Sequence, residues 1–155
     1  MYTIRKWAGD LGKLASKKNR NETIMALFNA ASRYYPDVDT KVVVRIMLAD
    51  IKAESDFHKS NQSPGRVDSG DSLGLLQVSP YGSGELKQFQ NMVQVEHNTY
   101  SWAIGTASEG EVDGGGRSEL GALVDFKTNK RIDLDSLSED DLSRPWINIH
   151  IAMWI

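Results

Sequence analysis

The chain has 155 residues, 40% hydrophobic and 25% charged, with a net charge of −3. That length suits a single domain over 1–155 with a real core, and the acidic balance argues against the broad basic face that nucleic acid or an anionic membrane selects. There is no cysteine, which excludes disulfides, thiolate nucleophiles and Cys-rich zinc sites, and no apolar run approaches the ~20 residues of a membrane span.

The opening stretch "MYTIRKWAGDLGKLASKKNRNE" lacks the apolar core of a secretory signal. Next, "NETIMALFNAASRYYP" predicts an amphipathic helix. Its buried face should hold Ile24, Leu27, Phe28, Ala31 and Tyr35, with Asn21 as N-cap, Glu22 in the first turn and Pro36 as the stop. A second helix follows in "DVDTKVVVRIMLADIKAESDFH", capped by Asp39 or Thr40. From Val42 to Ala53 it is apolar on nearly every side, so it is expected to be buried. Glu54 falls at its C-terminal end, on the face of Val43, Met47 and Ile51. Burial and the negative end of the helix dipole both penalise a charged carboxylate there. Such a position asks for a chemical reason.

Residues 59–72, "KSNQSPGRVDSGDS", have loop composition. In "LGLLQVSP", Gly74 permits close backbone approach and Pro80 ends the segment. Residues 84–104 mix helical and alternating patterns and support no assignment. Residues 107–121, "ASEGEVDGGGRSELG", predict a solvated acidic loop without the ligand order of an EF-hand. "ALVDFKTNKRIDLDSL" alternates around a polar turn, as a hairpin does. The last helix begins at Ser143 with Pro145 near its first turn, and Ile147, Ile151, Trp154 and Ile155 form one apolar face. The chain stops on "AMWI" without a C-cap, so a fragment or a product of processing is expected. The fold class is mainly α, with a small hairpin or loop-rich subregion. His58, His97 and His150 have no short metal-ligand spacing. They are read as surface or structural residues, and no metal or cofactor is expected.

Cleaving a glycosidic bond requires a proton for the leaving oxygen, and a carboxyl group kept protonated near neutral pH can supply it. Glu54 fits that need; the alternative is a helix-end glutamate paired with a Lys or Arg. The surrounding motifs carry a resemblance. "ESDF", a loop of about twenty residues and then "LGLLQVSP" resemble the soluble-type lytic transglycosylases and the related goose-type lysozymes. Glu54 and Ser55 match the family's first motif, Gly74, Leu75, Leu76, Gln77 and Val78 its second, and Asn148 with Ile149 in "RPWINIHIAMWI" its third. The resemblance covers about residues 40–80 and 143–155, with a longer insertion between them than the family has.

The resemblance implies a lysozyme-like helical domain that acts on a β-1,4-linked polysaccharide, foremost peptidoglycan, outside the cell or at its wall. Glu54 would be the general acid and later the base. Ser55 would support it, while Gln77, Gly74, Leu75 and Tyr81 would contact the sugar. Asp68 matches a goose-type aspartate proposed to activate water, and Asp71 lies nearby; the other reading of both is turn-forming. Ser79 stands where a later family aspartate would follow, and the family's tyrosine motif after the third helix has no counterpart. Either a second polypeptide segment supplies it, or Tyr81 or Tyr100 substitutes, or the site is incomplete. Two readings from different classes follow: a glycosidic-bond-cleaving enzyme (lytic, or hydrolytic on peptidoglycan, chitin, chitosan or mannan), and a carbohydrate-binding remnant without turnover.

Overall fold

Over residues 16–65, 69–96 and 123–155, which the computed structural model describes, four α-helices carry the architecture. They are α1 (Lys17–Tyr34), α2 (Thr40–Ser55), α3 (Glu85–Glu96) and α4 (Pro145–Trp154). Two-residue strands β1 (Gln62–Ser63) and β2 (Ser72–Leu73) pair antiparallel, Gln62 opposite Leu73 and Ser63 opposite Ser72. Short 3₁₀ turns, Leu134–Ser136 and Glu139–Ser143, lead into α4. The described chain is therefore mainly helical with a small hairpin subregion. No helix among the described residues is long and apolar enough to cross a membrane. Asp68, His97, Tyr100 and the acidic stretch 107–121 lie outside the described residues.

Helix α1 starts a turn earlier than its sequence suggests, because the Ser16 hydroxyl, rather than Asn21, accepts the Asn19 N–H at 3.1 Å. Its buried face also differs. Ile24, Phe28 and Tyr35 are 38–39% exposed, while Glu22, Thr23, Ala26, Leu27, Ala30 and Ala31 face inward. The cause lies in the neighbours. Alanines at 26, 30 and 31 let α4 approach closely, and Glu22 is drawn in by two partners. Its carboxylate accepts the Trp146 N–H at 3.3 Å, at the start of α4, and faces the Lys127 ammonium at 3.2 Å. An anion at a helix N-terminus satisfies an orphan donor and the dipole together.

Helix α2 is capped by Asp39, whose carboxylate accepts the Lys41 N–H at 2.8 Å. It is not buried all round: Val43, Val44, Leu48 and Ile51 are buried, but Val42 is 44% and Ile46 55% exposed. The helix enclosed on every side is α4, in which every residue from Pro145 to Ile151 is buried, as are Met153 and Trp154. Pro145 opens it at the first helical position. Of the expected apolar face, only Ile155 is exposed. Helix α3, unassigned from its sequence, packs Phe89 edge-on to Trp154, 5.2 Å between ring centres. The buried Gln90 amide donates to the Leu134 and Leu137 carbonyls at 3.0 and 2.9 Å. The predicted hairpin forms over Leu123–Asp125 and Lys130–Ile132, through N–H···O bonds of 2.8 Å at Asp125 and at Ile132.

Two buried titratable groups make this fold sensitive to acid. The ring of His150 packs against Trp146 with 4.7 Å between centres and meets the Tyr34 hydroxyl at 3.2 Å. Burial first, and then the Arg33 charge, hold it down at about 3 against 6.5 when free. Burial pushes the Asp125 carboxyl up, but its bonds from Arg144 and the Thr128 and Lys127 N–H groups outweigh this and leave it at about 2, against 3.8 when free. Both folded values lie below the unfolded ones, so the unfolded chain takes up protons that the fold refuses. Stability should fall by up to about 1.4 kcal/mol per pH unit as pH drops from 6.5 toward 3 through His150 alone. Asp125 adds its own loss between 3.8 and about 2. Urea midpoints between pH 7 and 4 measure this; a His150→Phe chain should show a flatter profile above pH 4.

Candidate functional site around Glu54

Helix α2 ends at Ser55, where the chain enters two consecutive left-handed residues, Asp56 (φ 49°) and Phe57 (φ 64°). This is an uncommon conformation for a bulky side chain, and it is held here because Phe57 is fully buried in the core. The reversal sends His58–Asn61 back beneath the helix end. Ser55 is buried, and its hydroxyl donates to the Ile51 carbonyl at 3.1 Å. It therefore secures the last turn of α2.

Glu54 itself is exposed, against the burial its sequence suggests. Val43 and Ile51, on the same side of α2, are buried, so the elements that cover this side stop short of Glu54 in the last turn. What the structure does fix is the backbone beneath it: the Asn61 amide donates to the Glu54 carbonyl at 3.2 Å.

Asn61 then connects Glu54 to the second motif. Its carbonyl accepts the Gly74 N–H at 2.9 Å and the Gln77 side-chain amide at 3.3 Å. The segment 73–78 closes on itself through reciprocal Leu73–Val78 bonds of 2.9 Å, with Gly74 (φ 83°) and Gln77 (φ 49°) in left-handed conformations. The Gln77 amide also donates to the Gly74 carbonyl at 2.8 Å, and its oxygen accepts the Ser63 hydroxyl. Both ends of Gln77 are thus engaged by protein groups, and it clips 73–78 to the hairpin. Leu75 is fully buried, so its side chain belongs to the core.

The third motif meets the second from below. Asn148 is fully buried on α4; its side-chain oxygen accepts the Leu76 N–H at 2.8 Å and its amide donates to the Leu73 carbonyl at 2.8 Å. Gly74 is needed for this fit. A Cβ there would lie 2.4 Å from both the Asn148 amide nitrogen and the Leu142 carbonyl oxygen. Segments distant in sequence, 54–55, 74–78 and 148–149, are therefore wired together through Asn61 and Asn148. Asn61 lies in a stretch whose composition signals only a turn, and nothing in the sequence singles it out.

The remaining candidates lie to the side of this wiring. Asp71 is exposed, and its carboxylate accepts the Gln62 amide at 2.8 Å across the hairpin. Tyr81 is 50% exposed, and its backbone N–H bonds the Ser69 carbonyl at 3.0 Å. The Tyr81 hydroxyl donates to Glu139, and that bond to an anion pushes its ionisation above the ordinary phenol range. Tyr81 lines one wall of an open groove of about 380 Å³, floored by Leu86 and Leu137 and edged by Lys87, Glu139 and Asp140. Among the described residues no group of three or more His, Asp or Glu is arranged to hold a metal ion. Against known proteins, no family model matches the chain, and neither a curated protein nor a solved structure matches it.

Proposed function

We propose that the chain cleaves β-1,4 glycosidic bonds of a wall polysaccharide, foremost peptidoglycan, with Glu54 as the proton donor. One observation carries this reading: Glu54 stands on a rigid helix end whose backbone is tied by Asn61 to the 73–78 loop, itself anchored on Asn148. A group that delivers a proton must be closely positioned: this hydrogen-bonded shell holds the backbone of Glu54, and bound sugar would have to fix its exposed side chain. The exposed carboxylate is open to a polymer too large to enter an enclosed cavity. A sugar laid over the helix end would exclude water from it, the condition under which directed proton transfer is most effective.

Protonating the bridging oxygen releases the leaving sugar. The deprotonated Glu54 can then take a proton from whichever nucleophile closes on the anomeric carbon. If that nucleophile is the sugar's own hydroxyl, the product is an anhydro sugar. If water attacks instead from the opposite face, an aspartate such as Asp71 or Asp68 takes its proton as base and the product is a reducing end. Incubation of the native chain with purified peptidoglycan, with products read by mass, tests the reading. Anhydro or reducing fragments are expected; intact polymer after prolonged incubation with concentrated protein would count against it.

A second reading, binding without turnover, is favoured by the exposure of Glu54, which lacks the apolar surroundings that suit a proton donor. It predicts co-sedimentation with peptidoglycan and no product in the same assay.

A further inference from the structure

The outward side of α2 carries an organised surface that the Glu54 site does not use. Val42, Ile46, Ala49 and Ala53 are all exposed. Their spacing of four, three and four is that of a coiled-coil seam, in which successive apolar residues stay on one line of the helix. Arg45 borders the seam on one side and Asp50 on the other. At 100° per residue they stand roughly 140° apart, too far around the helix to reach each other. Among the described residues neither makes an ion pair.

The charges are also arranged against the helix's own interest. Lys41 and Arg45 are like charges four residues apart, as are Asp50 and Glu54, and such pairs repel. Lys41 lies in the first turn, where the dipole disfavours a cation. A pattern unfavourable within one helix becomes favourable if its complement lies on another.

We propose that α2 pairs with α2 of a second copy of the chain, parallel and about a two-fold axis along the seam. In that arrangement each seam residue faces its own counterpart. Arg45 of one copy falls opposite Asp50 of the other, five residues on, and the symmetry repeats the pair on the other side. Ala49 and Ala53 permit close approach, while Val42 and Ile46 supply the apolar area. An antiparallel pair would instead bring the two Arg45 side chains to one flank and the two Asp50 to the other. The proposal does not depend on the chemistry assigned to Glu54. One short helix pair buries less than the ~800 Å² per partner of a standard interface, so association should be weak, with a Kd on the order of 10–100 µM.

Sedimentation velocity from about 5 to 500 µM brackets that range. The native chain should shift from monomer to dimer with concentration, and Ile46→Asp should remain monomeric. Arg45→Asp and Asp50→Arg alone should each weaken dimerisation about tenfold or more, since each puts like charges together twice. The double exchange R45D/D50R restores opposite charges and should recover the native Kd to within about threefold. All three positions are exposed, so far-UV circular dichroism should not change. A native chain that stays monomeric throughout overturns the proposal. So does a dimer indifferent to the single exchanges, or one that the double exchange fails to restore.

Discussion

Replacing Glu54 by Gln should reduce turnover on peptidoglycan by roughly 10²–10⁴-fold, the usual contribution of a positioned general acid, while the fold is left intact. The two halves of this expectation rest on different atoms. The side chain is exposed and makes no hydrogen bond among the described residues, whereas the atom that Asn61 grips is the Glu54 backbone carbonyl. A surface substitution of this kind changes stability by about 0.5 kcal/mol or less. Matched melting curves with lost activity would therefore locate the chemistry in the carboxyl group. A variant that melts like the native chain and retains full activity would remove Glu54 from the mechanism.

The second large effect concerns the anchor of the loop. Gly74→Ala should destabilise the protein by about 3 kcal/mol or more, because two costs add: a φ of 83°, which an alanine adopts with strain, and a Cβ pressed against Asn148 and Leu142 at 2.4 Å. Asn148→Leu should cost a similar amount for another reason. It leaves the Leu76 N–H without its acceptor, at about 1–3 kcal/mol, and removes one of the two donors to the Leu73 carbonyl, which keeps the Val78 N–H at 2.9 Å. Either loss is a large share of the 5–15 kcal/mol typical of a domain. The two changes act on one contact, so they should not add. In the Gly74→Ala background the Asn148 bonds are already distorted, and the double variant should melt well above the sum of the two losses. Independent, additive losses would show that the loop is not held by this contact.

These expectations separate what the primary structure carries from what packing decides. Some boundaries are legible from local signals: the cap of α2, narrowed to Asp39 or Thr40, the first turn of α4 near Pro145, and the polar turn between Leu123 and Ile132. Each depends on a few neighbouring residues whose backbone bonds close among themselves. The three motif segments could be named from their residues, but not the residue that joins them. Asn61 is one polar residue among several in a turn-rich stretch, and its role exists only because Phe57 reverses the chain.

Burial was the part that the sequence misdirected. An apolar run reads the same whether its neighbours cover it or not. Helix α2, the greasier of the early helices, was expected at the centre, yet α4 takes that place and leaves Val42 and Ile46 on the outside. Helix α1 presents its alanines and a carboxylate inward and turns Ile24 and Phe28 out. Close approach of two backbones and satisfaction of the α4 N-terminus outweigh the area that two larger side chains would bury. By itself, then, the sequence determined that α1, α2 and α4 are helical, roughly where each lies, and which carboxylate stands at the end of α2, but not α3 or the first turn of α1. Only the tertiary structure decided which faces are covered, that Gln77 clips a loop, and that Glu54 stands open, because those outcomes depend on partners far away in the chain.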